Sequence, residues 1–157
     1  MTISRPALII LAAGGSAALL VGAFLFQHVG GMAPCELCLW QRWPHAAAIV
    51  IGLVALMVPG RAIVLLGALA AAATSGIGVY HTGVERGWWP GPDSCTGSGN
   101  ALGGLSGGDL LSTSGPSGVV MCDKVAWEML DLSMASWNAL LSLVLVLLWL
   151  WAARDRV

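Results

Sequence analysis

The chain is 157 residues long, 57% apolar and only 10% charged, with a formal net charge of −1. Soluble domains of this size carry about 25% charged residues, so the composition excludes a water-soluble fold, and the near-neutral balance gives no general attraction to nucleic acid or to an anionic surface. The length suits a single domain.

In chain order, the first apolar run covers residues 7–27, carries no charge and has the roughly 20 residues needed to cross a hydrocarbon core. It is longer than the apolar core of a signal peptide and no small-x-small cleavage site follows it cleanly, so it reads as a retained span. A second run covers about 40–58 and a third about 62–80; only Pro59-Gly60-Arg61 divides them, which predicts a tight helical hairpin. A fourth run covers about 135–152, and the second and fourth draw on Trp40, Arg42 and residues 133–136 at the interface. Gly14, Ala18 and Gly22 on the first helix and Gly67, Ala71 and Ser75 on the third recur at four-residue spacing, which predicts close helix contact along those faces. The fold class expected is an all-α integral membrane protein, a four-helix bundle with a long extracytoplasmic loop.

That loop, about 81–134, has three parts. Residues 87–98 contain Trp88, Trp89, Pro90, Pro92 and Cys95, a stiff aromatic stretch suited to a membrane surface. Residues 97–118 are rich in glycine and serine and read as a tether; Gly97, Gly99 and Gly103 miss the spacing of a nucleotide loop and follow no strand. Over 123–134, Lys124, Glu128 and Asp131 share one helical face and Trp127, Leu130 and Met134 its neighbour, which predicts a short helix lying on the bilayer with Cys122 at its start.

An even number of spans puts both termini on one side, and Arg5, Arg61, Arg154 and Arg156 mark that side as cytoplasmic. On the opposite side Glu85, Asp93, Asp109, Asp123, Glu128 and Asp131 outnumber Arg86 and Lys124. All four cysteines then face away from the cytoplasm, which in a bacterium is the periplasm, where disulfides persist.

Cys35 and Cys38 lie in Pro34-Cys35-Glu36-Leu37-Cys38-Leu39-Trp40-Gln41-Arg42, between the first two spans. Two cysteines separated by two residues close a small ring that gains little stability as a staple but exchanges readily with other thiols. Four cysteines allow three pairings, and spacing does not choose among them. A bond closing the long loop between Cys95 and Cys122 could be a structural staple or one station of an exchange relay. A closed zinc site wants two short-spaced pairs, and only Cys35 and Cys38 form one, so no metal is expected. Arg42, four residues after Cys38, falls on the same helical face; it is either a stabiliser of a Cys38 thiolate or an interfacial anchor. His81, at the end of the third run, is either a helix cap or a donor to a carbonyl oxygen of a bound quinone.

The motif from Cys35 to Arg42, the run Tyr80-His81-Thr82-Gly83-Val84-Glu85-Arg86-Gly87-Trp88-Trp89, the run Gly91-Pro92-Asp93-Ser94-Cys95-Thr96-Gly97 and the stretch from Cys122-Asp123 to Trp137-Asn138 together resemble the bacterial disulfide bond formation protein B (DsbB) family over nearly the whole chain. Trp40 stands where tyrosine is familiar in that family. The resemblance implies an inner-membrane thiol oxidase that reoxidises a periplasmic thioredoxin-fold, DsbA-like oxidase and passes electrons to a membrane quinone, ubiquinone or menaquinone. It further implies that Cys95 is attacked by the partner's thiolate, that the released Cys122 attacks Cys35, and that Cys38 is left as the thiolate facing the quinone, with Arg42 and His81 near the ring. Two other readings stand beside it. A vitamin K epoxide reductase-like enzyme shares four helices and a CxxC, but its CxxC follows the loop cysteines, the reverse of the order here. A scaffold with two static disulfides needs no exchange at all.

Overall fold

A computed structural model describes residues 3–92 and 121–154; Cys95 and the 97–118 tether lie outside the described residues. Four helices, α1 (Arg5–His28), α2 (Glu36–Met57), α3 (Arg61–Glu85) and α4 (Met134–Arg154), account for most of what is described, and a small hairpin of β1 (Glu128–Met129) and β2 (Leu132–Ser133) leads directly into α4. Each helix is long and apolar enough to cross a membrane, so the expected four-helix architecture is present. α1 and α3 each pack against both α2 and α4 and hardly touch one another, which makes them the diagonal of the bundle.

The distribution of side chains is that of a bundle solvated by lipid. Leu53, Leu66, Leu69 and Leu147 point outward, whereas Ala12, Ala48, Ala71, Ala139 and Ala152 are buried. Lipid tails are as apolar as leucine, so burying large side chains gains little, and small ones let the backbones approach. Trp149 is the largest of the fully buried side chains, packed among Leu8, Ala12, Ala68 and Leu145. Gly67 makes room for it: a β-carbon there would lie 2.7 Å from three indole ring atoms. Ala71 and Ser75 continue that face inward, and Ser75 Oγ donates to the Ala139 carbonyl of α4 at 2.9 Å.

The matching face expected on α1 is not used. Gly14 and Ala18 are exposed, and a β-carbon at Gly14 or Gly22 would meet nothing within 4 Å. α1 buries Leu8, Ile9, Ala12 and Ser16 instead. Four-residue spacing of small residues marks where a helix can be approached, not from which side. Here the stripe that carries Leu8 and Ile9 offers Trp149 and Leu145 more contact.

A second correction concerns residues 123–134, where no interfacial helix forms. Glu128 pairs with Ser133 and Met129 with Leu132 in antiparallel register, around Leu130 and Asp131 at φ 56° and 58°. Positive φ at both central residues is the signature of a two-residue hairpin turn whose twist matches its strands. The backbone carbonyls that a helix would have used internally are taken up by neighbours. Arg86 of the α3 end donates to Asp131 O at 2.9 Å, Trp137 Nε1 donates to Met129 O at 3.2 Å and Met134 N donates to Trp127 O at 3.2 Å. The Trp127 ring still reaches α1, 5.3 Å from the Phe26 ring.

Arg5 Nη2 donates to Gly60 O at 3.0 Å, tying the start of α1 to the α2–α3 link. That end holds Arg5 and Arg61, and the opposite end holds Cys35, Cys38, Cys122, the hairpin and, with them, Arg42 and Arg86. Because Gly67 seats Trp149, Gly67→Ala should lower the stability of the detergent-solubilised protein by about 1–3 kcal/mol through overpacking, while Gly14→Ala should leave it unchanged. Thermal unfolding of the two variants side by side measures the difference.

Candidate active site

α2 starts on Cys35, its N-cap, in an extended conformation at φ −76° and ψ 170°. The Cys35 sulfur accepts the Cys38 N–H at 3.2 Å, taking the place that a serine or aspartate oxygen fills at other helix ends. Two intervening residues are what that geometry requires, because the cap side chain meets the third amide of the first turn. The same turn brings the two sulfurs to 2.6 Å of each other, and both are free. Cys35 is 4% exposed and Cys122 fully buried; they share an apolar cluster with Leu37 and Val84, against which Cys38 packs. Cys122 is disulfide-bonded. Three of the four cysteines singled out from the sequence thus meet at one end of the bundle.

α3 runs past Tyr80 to Glu85, so His81 lies inside the helix one turn before its end and does not cap it. The ring is buried, with Nε2 3.5 Å from Cys35 Sγ and 3.8 Å from Glu85 Oε1. Its Nδ1 lies 3.1 Å from Gln41 Nε2, and the ring also donates to the Cys122 backbone carbonyl. Gln41 Nε2 donates in addition to Leu37 O at 3.1 Å. A carbonyl only accepts, so the Gln41 amide is oriented with its nitrogen toward Leu37 and His81. His81 Nδ1 is then an acceptor, and in the neutral ring the proton sits on Nε2, facing Cys35.

The same orientation propagates the other way. Gln41 Oε1 accepts from Asn138 Nδ2 at 2.7 Å, and Asn138 Oδ1 accepts from His45 Nε2 at 2.9 Å. Thr74 Oγ1 receives Asn138 Nδ2 at 3.1 Å, stands 3.2 Å from His45 Nε2 and donates to Gln41 O. A polar chain therefore descends from Cys35 through His81, Gln41 and Asn138 to His45, deep in the apolar part of the bundle. On the α3 side, Glu85 is buried and accepts from Ser133 Oγ of β2, which continues to Ser136 and Thr82 at 3.1 Å each. Glu85, counted by its sequence position among the loop's acidic surplus, belongs to this cluster.

A cavity of about 460 Å³ opens beside these groups, lined by Cys38, Arg42, His45 and Asn138 on the polar side and by apolar residues such as Leu19 and Leu141. Arg42 Nη1 donates to Gln27 of α1 at 2.7 Å, and its guanidinium carbon stands 4.8 Å from the centre of the Phe24 ring, a cation–π distance. Arg42 Nε and His45 Nδ1 are buried without a hydrogen-bond partner. At the end of α3, Trp89 Nε1 donates to Tyr80 O at 2.8 Å, and the Trp89 ring packs on Gly83, where no β-carbon would fit. The sulfurs of Cys35 and Cys38 and a ring nitrogen of His81 all lie within 4.8 Å of one another, a set that could hold a soft metal ion. Two thiolates on one tetrahedral zinc stand about 3.8 Å apart, given the Zn–S length. At 2.6 Å the Cys35 and Cys38 sulfurs are closer together than that.

Gln41, His45, Thr74 and Asn138 are the functional candidates that reading the spans for charge misses. None carries a formal charge in its neutral form, yet each is a polar residue within an apolar helix, and polar residues at such depth are expensive enough to mark a site.

Four membrane-length helices with a dithiol, a third buried cysteine and a histidine at one end define a membrane thiol–disulfide oxidoreductase. The chain belongs to the DsbB family: residues 5–152 match the family model described as disulfide bond formation protein DsbB, and its role is in disulfide bond formation. Among curated relatives, disulfide bond formation protein B of Stutzerimonas stutzeri is 31% identical, covering 99% of this chain and all of the relative. Its namesake from Aromatoleum aromaticum is 33% identical over 89% of this chain and 87% of the relative, and that of Methylococcus capsulatus is 37% identical over 77% of each. No solved structure matches the chain.

Hydrogen bonding with Cys38, and then burial, hold the Cys35 thiol far above the ordinary thiol range. A raised thiol pKa keeps the sulfur protonated to higher pH, so Cys35 should resist alkylation at pH 8 and react only as the solution becomes more alkaline. In Cys38→Ala, which removes the largest cause, the onset should move to lower pH. Mass spectrometry of the alkylated peptide across a pH series checks both.

Proposed function

We propose that the protein is a thiol:quinone oxidoreductase of the bacterial inner membrane, with cytoplasmic termini and periplasmic cysteines, that reoxidises a DsbA-like dithiol oxidase. The observation that carries this reading is the position of Cys38, between a buried exchange cluster and a cavity set inside the spans. A soluble dithiol lives in water and a quinone in the bilayer, so electrons need a carrier at each depth.

The residues divide the work. The partner's thiolate attacks Cys95 of a Cys95–Cys122 disulfide, and Cys122 leaves. Cys122, already packed against Cys35, attacks Cys35 in the Cys35–Cys38 disulfide, and Cys38 leaves as a thiolate. Each exchange runs through an attacking thiolate and a leaving sulfur. As the bond between Cys35 and Cys122 is later resolved by the partner's second thiol acting through the loop pair, negative charge develops on Cys35, and the His81 Nε2–H stands where it can take that charge. In this cycle the form with Cys35 and Cys38 free and Cys122 bonded is the one that next gives up two electrons.

A quinone, when bound, supplies the two-electron, two-proton acceptor, and the balance is partner dithiol plus quinone giving partner disulfide plus hydroquinone. The residues present fit such a group: the cavity is mostly apolar, and two buried polar atoms beside it, Arg42 Nε and His45 Nδ1, have no partner. Cys38 and Arg42 would hold it at the cysteine end. Arg42, fixed by Gln27 and Phe24, keeps a positive charge near Cys38, and the surrounding apolar walls exclude water.

Adding a reduced DsbA-like protein to the purified enzyme should bleach quinone absorbance. Cys38→Ser should abolish the bleaching while exchange at the loop pair persists, seen as a mixed disulfide with the partner. Arg42→Met should slow it at least about tenfold, the cost of losing roughly 1.4 kcal/mol of charge stabilisation. Bleaching at the normal rate by Cys38→Ser would remove Cys38 from the quinone end.

A further inference from the structure

The proposed quinone reading leaves the far end of the cavity unassigned, and His45 lies there. It is seven residues beyond Cys38 on α2, about 10 Å deeper along the helix, a span that a ring with oxygens at opposite ends can bridge with one contact at each end. His45 is 3% exposed and lines the cavity, and its Nδ1 is buried with no hydrogen-bond partner.

What Nδ1 can recognise is decided four groups away. The Leu37 carbonyl accepts from Gln41 Nε2, so Gln41 Oε1 faces and accepts from Asn138 Nδ2. Asn138 then turns Oδ1 to His45 Nε2. Reversing any member of the series would set two carbonyl oxygens or two amino groups against each other. A neutral imidazole has one N–H, and Asn138 takes it on Nε2. Nδ1 is left as a lone pair that can accept but not donate. An unpaired buried acceptor costs about 1–3 kcal/mol, and a ligand hydroxyl relieves that cost, whereas a carbonyl oxygen at the same place meets lone pair with lone pair.

We propose that His45 Nδ1 accepts a hydrogen bond from a hydroxyl of the hydroquinone, so that the deep end of the cavity binds the reduced form in preference to the quinone. This inference rests on the quinone reading above. Preferential binding of the reduced form raises the reduction potential of the bound couple, and the enzyme gains driving force for drawing electrons from Cys38. Asn138 and Gln41 act through His45 as positioning residues, holding its tautomer.

The test separates binding from turnover. In a Cys38→Ser background, which cannot pass electrons, a short-chain ubiquinone analogue and its hydroquinone are each titrated by equilibrium binding, and the potential of the bound couple is measured by spectroelectrochemical titration. His45→Leu should weaken the hydroquinone about tenfold relative to the quinone, lowering the bound potential by about 30 mV, the tenfold equivalent for two electrons. His45→Gln, which can donate to Asn138 and still offer a carbonyl oxygen, should keep most of the preference and shows that a folded variant is being read. Equal weakening of both forms by His45→Leu, or no change in their ratio, would overturn the assignment. Binding of neither form to the background protein or to the protein with Cys38 intact would overturn the quinone reading itself.

Discussion

The hydrogen bond from Gln41 to the Leu37 carbonyl is the constraint on which the polar interior depends. In a bilayer there is no water to rescue a misdirected amide, so one obligate acceptor orients every group linked to it. From that carbonyl the direction of donation runs to His81 on one branch and through Asn138 to His45 on the other. Two histidines on different helices thereby receive matched tautomers, each with its proton on Nε2. The donor side of His81 meets a sulfur, and the acceptor side of His45 is left open. A network of this kind is worth more as a set than as separate pairs, and it joins α2, α3 and α4 at the level where the bundle is otherwise least filled.

The bundle is accordingly asymmetric along its length. At the end that holds Arg5 and Arg61, Trp149 fills the space between helices and Gly67 recedes to admit it. Toward the cysteine end the space between the helices is a cavity, lined from all four of them and by Trp127 before α4. Dense packing and the candidate site are thus partitioned between halves of the same four helices. The hairpin before α4 completes the functional half: it brings Ser133 to Glu85, and its Asp131 carbonyl is held by Arg86.

Much of this was legible in the chain. Hydropathy found the four helices, and the two-residue spacing of Cys35 and Cys38 foretold that their sulfurs meet, because span length and the first turn of a helix are local properties. Direction is not local. Gly14, Ala18 and Gly22 carry the same pattern as Gly67, Ala71 and Ser75, yet only the second set faces a neighbour. The hairpin was hidden because Leu130 and Asp131 replace the Asn-Gly that usually announces such a turn, while Lys124, Glu128 and Asp131 imitate a helical face. The polar chain was hidden because its members come from three helices and are unremarked one at a time. His81 was legible as important, but its neighbour, Cys35, was not, since that contact joins the start of α2 to the last turn of α3.

The cap of α2 adds a mechanical aspect to the chemistry. An ordinary capping oxygen has no other duty, whereas the sulfur that closes this helix is also the one that exchanges partners in the proposed cycle. When Cys35 turns toward another sulfur, the amide of Cys38 loses its acceptor and the first turn of α2 loosens; when the Cys35–Cys38 pair re-forms, the turn tightens again. Redox state is thereby converted into the stiffness of a helix end. The residue that rides on that end is Cys38, so the sulfur beside the cavity is held firmly or released according to where its neighbour is bonded.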